Sequence, residues 1–97
     1  MAVGDVASGV SSIAQDAYLD IRPSAGIEWV IHNVYHEGDI QLEYYDGTNS
    51  IAFDTASGMG VYAKFAFHLT NSIRVRVKNT AGETKLIGYD GVVTKSA

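Results

Sequence analysis

Three histidines are the first residues whose type and spacing suggest chemistry: His32 and His36 lie four apart, and His68 can join them from another strand. On a helix, two histidines four apart would converge on one metal ion. The surrounding residues alternate apolar and polar instead, and four residues along a strand span roughly 13 Å, at about 3.3 Å each. The spacing argues against a shared metal and places the histidines at surface or interface positions of a sheet. Carboxylates at or near loops, Asp46, Asp54 and Asp90, raise a calcium alternative. No run of alternating oxygen ligands of the EF-hand kind accompanies them, and Asp-Gly at 46–47 and 90–91 is explained by turn geometry. No paired-carboxylate cleft is marked either. Serine lacks a Gly-x-Ser-x-Gly setting, and the loops "ASGMG" and "ASGVSS" do not match a phosphate-cradling pattern followed by a helix. With no cysteine in the chain, thiolate catalysis, disulfides and cysteine-dependent zinc sites are excluded. The expectation is a protein that is not an enzyme and uses no cofactor or metal.

Tyrosine remains. Tyr45 and Tyr62 fall out of phase with the inward residues beside them and are expected to face outward, either as isolated surface tyrosines or as part of an interface or a sugar-stacking patch. In the last case the loops at 46–49 and 55–60 would complete the contact surface of a carbohydrate or small-ligand binding module.

The elements that must position these residues are strands, because period-two alternation dominates from residue 17 onward and no window shows a capped helical stripe. Ala17, Leu19 and Ile21 alternate with Tyr18, Asp20 and Arg22 before Pro23, which cannot donate to a ladder. Ser24, Ala25 and Gly26 turn the chain, and Ile27, Trp29 and Ile31 resume the inward pattern. That reads as a β-hairpin delivering Trp29 to the core. Val34 breaks the phase after Ile31 unless a bulge lies near His32 and Asn33. "EGD" at 37–39 turns into Ile40, Leu42 and Tyr44, and "DGTN" at 46–49 turns back into Ile51 and Phe53. Val61, Ala63, Phe65, Phe67 and Leu69 form the longest strict alternation and predict a central strand. Ile73, Val75 and Val77 face inward opposite Arg74, Arg76 and Lys78, which form a solvated outer strip. In "KLIGYDGVVTK", residues 85–95, Gly88 and Gly91 predict a bend or a close backbone approach. About seven to eight strands at this spacing give an all-β fold, an antiparallel, jelly-roll-like β-sandwich. Its expected core includes Leu19, Ile21, Trp29, Ile31, Leu42, Phe53, Phe65, Phe67 and Val75.

One domain over 1–97 is expected, with residues 1–16 forming either an edge strand or an amino-terminal arm ordered by a neighbouring copy. In that segment Val3, Val6 and Val10 are candidate interface residues. A hydrophobic content of 46% with 19% charged residues suits a globular chain. A net charge of −4 with seven basic residues speaks against nucleic acid as a partner. The segment "MAVGDVASGVSSIA" has no basic, apolar signal pattern, and no apolar run is long enough for a membrane helix. A soluble protein made in the cytoplasm, with no membrane partner, is expected.

"SIAQDAYLDIRPSAGIEWVIHNV", residues 12–34, resembles an opening found in small structural proteins of tailed bacteriophages: a polar-small lead, an alternating strand, Pro, Gly, then Glu-Trp-Val-Ile. The likeness continues through "YYDGTNSIAF" and "FAFHLTNSIRVRVKN", so it covers most of the chain. The resemblance implies a jelly-roll-like virion component: a head-decoration, capsid-stabilising or fibre-associated module. Such a protein would be a homo-oligomer bound to other virion proteins, made in the host cytoplasm and located in the virion. No catalytic residues come with it. The absence of a repeat or coiled-coil stalk favours a compact accessory protein over a long fibre.

Overall fold

The alternating stretches become strands, but most consecutive strands are dealt between two sheets, and of consecutive strands only Ile40–Tyr45 and Ser50–Ala56 pair with each other among the described residues. The computed structural model describes residues 2–96. Among the described residues there are nine strands and no helix: β1 (Val6–Ile13), β2 (Tyr18–Ile21), β3 (Glu28–His36), β4 (Ile40–Tyr45), β5 (Ser50–Ala56), β6 (Gly60–Tyr62), β7 (Phe67–Leu69), β8 (Arg74–Asn79) and β9 (Lys85–Lys95). One sheet has the order β1-β9-β3-β6, with β7 also pairing with β3; the other has the order β2-β8-β4-β5. All pairings are antiparallel. The architecture is an antiparallel β-sandwich.

The inner faces share one core. Ala7, Trp29, Ile31, Val34, Ile87 and Val93 enter it from the first sheet, and Ile21, Ile40, Leu42, Val75 and Val77 from the second. Full burial of each large aliphatic side chain contributes about 1.5–3 kcal/mol. Of the expected core, Ile21, Trp29, Ile31, Leu42 and Val75 are buried, while Leu19 and Phe67 are partly buried against it.

The joint at 22–26 makes a cross-sheet arch, not the expected hairpin: β2 pairs with β8 while β3 pairs with β9, β6 and β7. Arg22 Nε donates to Asn71 O at 2.7 Å, and Asn71 Nδ2 donates to Pro23 O at 3.1 Å, fastening the arch to the loop before β8. The true hairpin is β4–β5, closed at Asp46-Gly47, where Gly47 has φ +97° and Asp46 Oδ1 accepts the amides of Thr48 and Asn49.

A bulge interrupts the β3–β9 ladder between Ile31 and Asn33, and it allows both Ile31 and Val34 to point inward. The same irregularity splits the expected central strand. β6 pairs with Val34–His36 and β7 with Trp29–Ile31, so residues 63–66 loop out opposite only His32 and Asn33. Phe65 lies in this excursion and is 56% exposed, outside the core it was expected to join. Phe53 also leaves the core. It sits where β5 bulges against Leu42 and Glu43 on an edge, and its ring rests on Phe67 at 5.7 Å.

Residues 6–13 form the edge-strand alternative for the amino-terminal segment, paired with β9 over eight residues without a register shift. Gly91, in the centre of β9, lies under the β3 bulge. A Cβ there would fall 2.0 Å from Val30 O and 2.6 Å from Ile31 Cα, so only glycine lets the two backbones meet. Both neighbours are backbone and cannot rotate away. Gly91→Ala is therefore expected to destabilise the fold by about 3 kcal/mol or more; a thermal melt within about 4 °C of the parent would contradict this packing.

Candidate functional site

The two outer faces of the sandwich differ in chemistry. On the β2-β8-β4-β5 sheet, Arg74, Arg76 and Lys78 alternate with buried Val75 and Val77, as the pattern predicts. The two arginine charges are answered locally. Arg74 Nε lies 3.2 Å from Asp20 Oδ2, and Arg76 bonds the buried Glu43 carboxylate through Nη2. Burial alone would push the Glu43 carboxyl up, but hydrogen bonds from Arg76 and Ser50 and the Arg76 charge hold it below its ordinary value. The Arg76 guanidinium also lies over the rings of Tyr45 (4.1 Å) and Tyr18 (4.5 Å), and Arg74 covers Tyr45 at 4.6 Å.

Tyr45 thus faces outward as expected, but its ring is already stacked by arginine. Tyr62 does not face outward: it is 5% exposed, opposite buried Val34. The assumed continuous strand gives the wrong phase, because Val61 is the outward residue of β6. Tyr62 Oη donates to Asp54 Oδ2 at 2.8 Å, and Lys64 Nζ lies 3.2 Å from the same oxygen. Burial, then the Asp54 carboxylate, pushes the Tyr62 phenol well above its ordinary value, so it stays a neutral donor. Neither tyrosine proposed for sugar stacking offers an open ring pair.

The histidines also separate. His36 is buried, not at the surface, with Nδ1 2.7 Å from Gly58 O and 3.1 Å from Gly38 O; His32 and His68 are exposed. No group of three or more His, Cys, Asp or Glu suited to a metal occurs among the described residues.

The outer face of the β1-β9-β3-β6 sheet carries rows of apolar side chains. Ladder register aligns Val10, Gly88, Tyr35 and Val61 in one row across four strands, and Val6, Val92, Val30 and His68 in another. Val10 is 70% exposed; Val6, Leu86, Tyr35 and Val61 are exposed too. Gly88 supplies no side chain between Val10 and Tyr35, which leaves a shallow hollow of about 210 Å³ lined by Val10, Tyr35, Glu37, Leu86 and Gly88 together with His36 and Gly60. Val3 is exposed just before β1.

The carboxylates of Asp90 and Glu37 on this face are tied down. Asn33 Nδ2 and Tyr35 Oη donate to the two Asp90 oxygens, each at 2.7 Å, and Leu86 N donates to Glu37 Oε1 at 2.7 Å. The bond to Asp90, with some burial, pushes the Tyr35 phenol above its ordinary value. Of the candidate interface residues, Val6 and Val10 lie on this face; Tyr45 and Tyr62 do not. Tyr35, Val61, Leu86 and Gly88 were missed. The available signal was that β9 has apolar residues in both phases: Ile87 and Val93 inward, Leu86 and Val92 outward.

Compared with known proteins, the chain matches no family model and no curated sequence.

The Glu43–Arg76 pair predicts an acid response. A carboxyl with a lowered folded pKa contributes stability that is complete above its unfolded value, about 4.3, and lost as pH falls through the folded value. Glu43→Gln is expected to lower the melting temperature at pH 7 and to lose less than the parent between pH 5 and pH 3; parallel losses would contradict the assignment.

Proposed function

We propose that the protein is a non-enzymatic structural component of a tailed-phage particle, which associates with copies of itself and with the particle surface through the outer face of the β1-β9-β3-β6 sheet. The observation that carries this reading is the contrast between the two faces. One is closed by its own ion pairs and arginine–tyrosine stacks. The other exposes Val6, Val10, Tyr35, Val61 and Leu86 on a rigid ladder, with its carboxylates already hydrogen-bonded. Contiguous exposed apolar surface on a small domain marks an interaction site.

The assignment to a phage particle rests on the resemblance in residues 12–34. A sandwich is suited to that work, because a rigid module repeated by symmetry multiplies individually weak contacts. The carbohydrate-binding alternative has less support, since Tyr62 is buried and the Tyr45 ring is covered by guanidinium groups.

The solution mass, measured by light scattering across a concentration series, tests the reading. The parent protein is expected to form a discrete oligomer. Leu86→Glu, a change at an exposed position on the face, is expected to weaken association at least about tenfold, equivalent to about 1.4 kcal/mol, with little change in melting temperature. A parent that is monomeric at several hundred micromolar would overturn self-association, and an unchanged Leu86→Glu oligomer would move it to another surface.

A further inference from the structure

The sandwich has four strand edges, and three carry features that oppose pairing with another chain. β2 is four residues long, carries Asp20 and runs into Pro23. β5 bulges against β4 and carries Asp54. The remaining edge is divided between β6 and β7, three residues each, separated by the 63–66 excursion. Short strands, charge, proline and bulges are the means by which proteins block edge-to-edge association.

β1 has none of them. Its eight residues, "VASGVSSI", contain no charge and no proline, and its ladder with β9 runs without a register shift. Val6, Ser8, Val10 and Ser12 form its exposed outer row, while Ala7 and Gly9 on the inner side are small. The carboxyl end is closed, since Asn79 Nδ2 donates to Ile13 O at 2.8 Å. The open stretch is therefore centred on Ser8, not on the end of the strand.

We infer that β1 pairs antiparallel with β1 of a second copy across a two-fold axis at Ser8, joining the two β1-β9-β3-β6 sheets edge to edge. This adds an edge contact to the self-association through the face proposed above, and rests on that reading. The register follows from the sequence. Pairing that keeps both outer faces on one side must match even with even positions, because a one-residue slip reverses every side chain. Centring the axis on Ser8 sets Val6 of each copy against Val10 of the other, so the strand's two outer valines are matched twice. On the inner side it sets Ala7 against Gly9, small residues that let the strands approach. Asp5 of one copy lies beside Ser11 of the other, and the two Asp5 carboxylates stand at opposite ends of the joint. The result continues the exposed row of Val10, Gly88, Tyr35 and Val61 onto the second copy, making one apolar face from two.

The chain has no cysteine, so Ser8→Cys introduces its sole thiol at an exposed position. Residues opposite each other in antiparallel strands have Cα atoms about 4.5–5.5 Å apart, within the roughly 4.4–6.8 Å that a disulfide spans. Two copies of Ser12→Cys would instead be offset by eight residues, roughly 27 Å at about 3.4 Å each. Under mild oxidation, Ser8→Cys is expected to convert mostly to a disulfide dimer, and Ser12→Cys is not. In a parallel test, Val6→Lys is expected to weaken the dimer at least about tenfold, and Val6→Lys with Val10→Glu to recover most of that loss through cross-strand ion pairs. If Ser8→Cys cross-links no faster than Ser12→Cys, or the double variant is no tighter than Val6→Lys, while the parent remains oligomeric, the β1 pairing is overturned and self-association through the face stands. A monomeric parent overturns both.

Discussion

The contact on which the molecule depends is the backbone approach of β9 to β3 at Gly91. Among the described residues β9 is the only strand bonded to both β1 and β3, and so it joins the edge of its sheet to the rest. Where it passes the β3 bulge, no room remains for a Cβ. β9 stays paired with β3 on both sides of the bulge, and its ladder with β1 runs on without a shift. This bulged pairing lets Ile31 and Val34 enter the core, and it aligns Val10, Gly88, Tyr35 and Val61 across the outer face. Packing inside and the arrangement outside share one cause.

The bulge also explains why the two ends of β3 serve different neighbours. β6 binds one end and β7 the other, with residues 63–66 displaced between them. The displaced loop exposes Phe65, whose ring lies 6.5 Å from that of Tyr62, while Tyr62 turns inward to Phe67 and Asp54. Polar groups near this irregularity find local partners: Asn33 and Tyr35 bond Asp90, and His36 Nδ1 meets the Gly58 and Gly38 carbonyl oxygens. Buried or half-buried polar atoms left unpaired beside a bulge would cost stability.

Much of this fold was legible in the residues. Trp29 on a buried face, the Asp46-Gly47 hairpin, the bulge at His32 and Asn33, and the close approach at a β9 glycine all follow from local phase and turn chemistry. What local pattern does not encode is which sheet a strand joins. Pro-Ser-Ala-Gly at 23–26 bends the chain in either a hairpin or an arch, and the choice depends on whether Leu19 and Ile21 find better partners in β8 than in β3. The strict alternation from Val61 to Leu69 misled for a related reason: pairing with a bulged β3 inserts an excursion that sequence periodicity does not register. The candidate face was only half visible. Val6 and Val10 stood out among small residues, whereas Tyr35, Val61 and Leu86 become part of the same surface only through the ladder register.

Hydrogen–deuterium exchange compared between dilute and concentrated protein would test the central claim most directly, because it reports where association protects the backbone. The account predicts concentration-dependent protection of the exposed amides of β1, with smaller changes at the ends of β3 and β9 beneath the apolar face. Protection confined to the β2-β8-β4-β5 sheet, or no dependence on concentration, would contradict it.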